Sequence, residues 1–121
     1  MVRYRGTKDV IDARAHLETL VGRTIQTLTA GRPNRILTIS GDDVIVAAAR
    51  SPQGRPVPIK WVQDAINQLV EQGEIVIDVE TVGYRSAFIG AVLATLPGAT
   101  VVTASPRRVR LRGDSFRLGS D

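Results

Sequence analysis

The sequence predicts an α+β domain, and three observations carry that prediction. Apolar residues from Ile59 to Val70 recur at helical spacing between Pro58 and Gly73. Val109-Arg110-Leu111-Arg112 alternates with the period of a half-buried strand. Between residues 24 and 46, short β-branched runs are separated by turn residues, the pattern of hairpins. A chain of 121 residues with 43% apolar content can bury one core but not two. Residues 1–113 are therefore expected to form a single domain, with 114–121 a tail or linker.

Residues 7–21 read as the first helix: Thr7 is placed to cap it, Val10, Ala13, Leu17 and Leu20 recur along it, and Gly22 ends it. Thr24 to Thr29 is strand-like, Gly31 to Asn34 turn-like, and Ile36 to Ile39 a short strand. Ser40-Gly41-Asp42-Asp43 offers a hairpin turn before Val44-Ile45-Val46, a run too continuously apolar to be half exposed. Ser51 to Pro58, with three prolines and a glycine, reads as a loop. Pro58 suits a first helical turn, where its missing N–H costs nothing, and Gly73 a left-handed stop. Glu74 to Glu80 reads as a short strand broken by Gly83.

A further helix runs from about Tyr84 to Leu96, with Phe88, Ile89, Val92, Leu93 and Leu96 on one face. Ala87, Gly90 and Ala91 are small enough to admit a neighbouring helix, and Pro97-Gly98 stops the run. Val101-Val102 and Val109 to Arg112 then close the pattern as a hairpin with an arginine edge. The expected architecture is about three helices with a small antiparallel sheet and this basic hairpin.

Net charge is +4, and fourteen arginines against two lysines supply the positive side. No acid occurs from Thr81 to Gly113, nor from Val44 to Gln63, while Asp64, Glu71, Glu74, Asp78 and Glu80 lie between. Sorting of this kind predicts a one-sided basic surface suited to a polyanion. Cysteine is absent, so neither a disulfide scaffold nor a Cys-type zinc site is available, which fits a cytoplasmic protein. No apolar run is long enough to cross a bilayer, and no membrane partner is expected.

Catalysis has little to build on. His16 is the only histidine and no nucleophile motif accompanies it, so a structural role is expected. Asp78 and Glu80 would share one strand face, as in a metal-dependent nuclease, but no lysine follows; the nearest, Lys60, belongs to the preceding helix. Gly31-Arg32-Pro33 and Gly54-Arg55-Pro56 lack the spacing of a phosphate loop. The isolated chain is expected to be no enzyme and to use no metal or cofactor.

The order of elements says more. Two helices followed by a basic hairpin resemble a winged helix, whose second helix enters the major groove while the hairpin rests on the backbone. The start of that second helix is Tyr84-Arg85-Ser86: a ring to stack, a guanidinium fork for guanine or phosphate, and a hydroxyl for phosphate. Arg107, Arg108, Arg110 and Arg112 would supply the wing, with Arg55 and Lys60 adding positive charge from the other acid-free segment. With aromatics at 4% of the chain, groove reading is preferred to base extrusion. Trp61, off the main stripe of its helix, is expected to pack.

"RSPQGRPVPIKWVQDAI" (Arg50–Ile66) and "GYRSAFIGAVLATLPG" (Gly83–Gly98) resemble a module of actinobacterial, McrA-like HNH-type restriction endonucleases that act on modified DNA. The likeness covers roughly residues 17–112. One histidine and no cysteine cannot make the nuclease metal finger of that family. What the resemblance implies is an accessory domain that locates double-stranded DNA, including methylated DNA, for a nuclease domain of a parent protein. The alternative is a protein-interaction or dimerisation module, in which Ala87, Gly90, Ala91 and Ala94 pack between chains and Trp61 anchors a partner.

Overall fold

The described residues contain four helices and two small antiparallel sheets, one helix more than the sequence patterns suggest, with the expected hairpin inside the second sheet. The computed structural model describes residues 11–83, 85–103 and 106–111. The expectations placed on Thr7, Tyr84, Arg112 and the 114–121 tail lie outside them. Among the described residues, no helix is long and apolar enough to cross a membrane.

Helix α1 (Ala13–Leu20) begins at Asp12, whose carboxylate accepts from the Arg14 N–H at 3.0 Å and so satisfies a first-turn donor. It buries Ala13, Leu17 and Leu20. Strands β1 (Thr24–Gln26), β2 (Pro33–Ser40), β3 (Asp43–Ala48) and β4 (Ser51–Pro58) follow as an antiparallel meander in the spatial order β1-β2-β3-β4. Strand alternation sends Ile25, Asn34, Ile36, Val44, Val46 and Val57 to one face, where all are buried.

The loop expected at Ser51–Pro58 is instead the edge strand β4. Proline is tolerated there because only one side of an edge strand needs donors. Ile59 donates its N–H to Asp42 O at 2.9 Å, continuing the ladder, so Val57 and Ile59 turn their N–H groups toward β3, and Pro56 and Pro58 face away at the positions that lack donors. Gly54 is required by contact as well as by conformation. Its φ is +95°, and a Cβ there would stand 2.6 Å from Ile45 Cγ2 and 2.9 Å from Leu37 Cδ1.

Helix α2 (Ile59–Gln72) matches the sequence reading. Ile59, Val62, Ala65, Ile66 and Leu69 are buried, and Gly73 closes the helix at φ 83° with its N–H on Leu69 O at 2.7 Å. Trp61 is 37% exposed rather than packed away. The stretch Glu74–Glu80 departs from the expected strand. Only β5 (Glu74–Val76) is extended, and Asp78 then caps a short helix α3 (Val79–Val82), its carboxylate accepting from the Thr81 N–H at 2.8 Å. The local carboxylate–amide bond overrides the β-branched composition of the run. Asp78 and Glu80 therefore do not share a strand face.

Helix α4 (Ser86–Ala94) leads into β6 (Ala99–Val102) and β7 (Arg108–Leu111), which form the expected hairpin. The second sheet has the order β5-β7-β6, with β7 central and Val109 fully buried. Helix α4 is not one-sided: every residue from Phe88 to Leu93 is buried. The small residues do admit a close neighbour, but it is Ile77 of the same chain. A Cβ on Gly90 would sit 2.6 Å from Ile77 Cγ2.

Candidate nucleic-acid interface

In a meander, alternate connections leave the sheet at the same end. The β1–β2 loop (residues 27–32) and the β3–β4 turn at Ala49-Arg50 therefore lie side by side, and the start of α4 faces them. Between these parts opens a cleft of about 540 Å³. Arg32, Pro33, Asn34, Ala48 and Arg50 line one wall, and Arg85 to Phe88 line the other. A recess of about 360 Å³ continues past Arg50 and Arg85 to Ser51 and Arg55. No carboxylate lines either space among the described residues.

Local structure fixes the backbone at Arg32 and Arg85 and the side chain of Arg55. The β1–β2 loop is tied by Thr27, whose N–H donates to Arg32 O at 3.0 Å and whose hydroxyl accepts from Arg32 N–H at 2.9 Å. Arg55 Nε donates to the buried Ser51 Oγ at 3.1 Å. Arg85 has the left-handed backbone φ 64°, ψ 29°, and is the non-glycine residue with positive φ among the described residues. That conformation lets the chain turn sharply into α4 and leaves the helix without a side-chain cap. The positive end of the helix therefore opens on the cleft.

Asn34 differs from the other buried polar side chains at the cleft. It is 7% exposed and lines the cleft, yet its side-chain amide has no hydrogen-bond partner among the described residues. Thr27 and Ser51, the other buried polar side chains, both have partners.

The sequence-predicted residues divide. Arg55, Arg85 and Ser86 meet at the cleft. Lys60 does not line it; its Nζ donates to Asp64 Oδ2 at 2.9 Å, one turn along α2. Arg107, Arg108 and Arg110 of the expected wing are not free either. Arg110 donates through Nε and Nη2 to Glu74 Oε1 at 3.2 and 3.1 Å, and Arg108 Nε lies 3.8 Å from Glu74 Oε2. Arg107 donates to Thr103 O at 3.1 Å. The stretch from Thr81 to Gly113 is acid-free in sequence but not in space, because β5 pairs with β7 and sets Glu74 directly opposite Arg110.

Phe88 to Leu93 of α4 are buried, and its first turn, Ser86 and Ala87, faces the cleft. Of the small-residue stripe, Gly90 packs on Ile77 and Ala91 is buried, whereas Ala87 is exposed. Arg32, Arg50 and Asn34 were not singled out as contact residues in the sequence. Arg50 carried a signal, since it sits in the acid-free segment; Asn34 looked like a turn residue and Arg32 like part of a Gly-Arg-Pro turn.

His16 is remote from the cleft. Thr95 donates its only hydroxyl proton to Val92 O at 2.6 Å, so the 2.7 Å contact with His16 is a bond donated by Nε2–H. Burial lowers the imidazole pKa below 6.5, as expected of a structural histidine. Among the described residues, no group of three or more His, Cys, Asp or Glu could hold a metal ion. Set beside protein-family models, curated proteins and solved structures, the chain matches none of them.

Proposed function

We propose that this chain binds double-stranded DNA through the arginine-lined cleft and acts as a targeting module, of the kind that brings a restriction nuclease to modified DNA. The observation that carries the reading is the convergence of Arg32, Arg50, Arg55 and Arg85 on one acid-free cleft at the open end of α4. Like charges are gathered against their mutual repulsion, which a bound polyanion relieves. Guanidinium forks and a helix N-terminus are both donors suited to phosphate.

The order of elements supports the same reading. From α2 onward the chain runs helix, strand, short helix, helix, strand, strand, with the last strand in the middle of its sheet. That order is compatible with the winged-helix reading, in which α4 is the reading helix and β6–β7 the wing. The buried length of α4 makes the approach end-on, through Arg85 and Ser86.

The test is a titration of labelled duplex at several salt concentrations. Four phosphate contacts give a slope of about −3.6 in log affinity against log salt. Affinity should therefore fall about a hundredfold between about 50 and 200 mM salt. Arg50→Ala and Arg55→Ala should each reduce the slope by about 0.9. Absence of binding, or binding insensitive to salt, sinks the proposal.

A further inference from the structure

The cleft has more in it than phosphate binding requires. Phosphate oxygens are satisfied by a charged rim, whereas this cleft is also lined by the apolar Pro33, Ala48, Ala49 and Phe88. Phe88 is only 1% exposed, so its ring lies at the floor. The volume of about 540 Å³ falls within the roughly 300–1,000 Å³ range of sites that enclose a small molecule. Into this space faces Asn34, a largely buried residue whose side-chain amide has no hydrogen-bond partner among the described residues and is open to one that enters the cleft.

An apolar slot, a carboxamide at its wall and arginines at its mouth are together the chemistry of one nucleotide. The base takes the slot, the amide meets its edge, and the guanidinium groups take the flanking phosphates. Every nucleobase edge carries a donor beside an acceptor, and a carboxamide offers the complementary pair. Asn34 therefore holds a base in the cleft without by itself choosing which one.

We infer that the cleft receives a single nucleotide of the bound strand, its base turned out of the duplex against Phe88 and hydrogen-bonded by Asn34. This rests on the DNA-binding reading above. Turning out a base is easier where it is already unpaired. A duplex with one central mismatch is therefore bound more tightly than its fully paired counterpart.

The experiment titrates three probes: a paired duplex, the same duplex with one central mismatch, and free deoxynucleoside monophosphates. The mismatched duplex should bind about tenfold more tightly than the paired one, and the monophosphates more weakly than either. Ala49→Trp, at the exposed turn that borders the cleft, fills the slot; Asn34→Leu removes the amide, whose side chain makes no hydrogen bond among the described residues. Both variants should lose the mismatch preference. Equal binding of the two duplexes overturns extrusion and leaves DNA binding standing. A preference that survives both substitutions overturns the cleft as the receiving site. Monophosphates binding as tightly as the mismatched duplex overturn the strand as the source. Failure to bind either duplex overturns the DNA-binding reading and this inference with it.

Discussion

Arg85 ties the backbone of the cleft to its chemistry, and two substitutions separate the contributions. At φ 64° and ψ 29° the residue occupies a conformation that costs a side chain about 1–2 kcal/mol and costs glycine almost nothing. Glycine in turn loses about 0.4–1 kcal/mol through the greater freedom of its unfolded chain. Arg85→Gly should therefore be about 0.5–1 kcal/mol more stable than Arg85→Ala, which keeps the left-handed cost. For a domain of this length the gap is roughly 2–5 °C in melting temperature. Both variants lack the guanidinium and should bind DNA equally weakly, with the salt slope reduced by about 0.9. Thermal melts of the two proteins, paired with duplex titrations, check both halves. If Arg85→Ala melts at or above Arg85→Gly, the backbone is not strained there and the account of the turn into α4 is wrong.

Three other perturbations test separate parts of the structure. Gly54→Ala forces a Cβ within 2.6 Å of Ile45 Cγ2 at a φ of +95°, and should cost about 2–3 kcal/mol, read as a lower urea midpoint; a midpoint within error of wild type refutes the β3–β4 register. Glu74→Gln releases Arg108 and Arg110 and should steepen the salt slope of DNA binding by about 1–2, at a stability cost below about 1 kcal/mol; an unchanged slope means the hairpin does not touch DNA. For His16, burial lowers the folded pKa below 6.5, so the unfolded chain binds the proton more readily. Its contribution to stability is whole above pH 6.5 and is lost as the pH falls through the folded value, and His16→Gln should flatten that part of the stability–pH curve.

Several elements were legible because their cause is local. Period and terminators sufficed for α2, with Ile59 to Leu69 on one face and Gly73 at its end, and alternation sufficed for β7. Other elements misled for equally physical reasons. Ser51–Pro58 has loop composition, and only its place at a sheet edge makes its prolines harmless. Val76, Ile77 and Val79 have strand composition, but the Asp78 carboxylate caps a helix on the next turn. The cap was present as Asp78 and Thr81 spacing, and it was outweighed by composition.

What the sequence by itself determined is the α+β class, the basic balance and the separation of acids from arginines along the chain, since these follow from composition and from periods of two and 3.6. Which arginines meet was decided by tertiary structure alone. Pairing of β5 with β7 spends Arg108 and Arg110 on Glu74. The meander brings Arg32 and Arg50, eighteen positions apart, to one end of a sheet, where Arg85 completes the cleft from α4. Adjacency across a sheet depends on strand order and register, which are set by the burial of the whole core rather than by the residues that end up side by side.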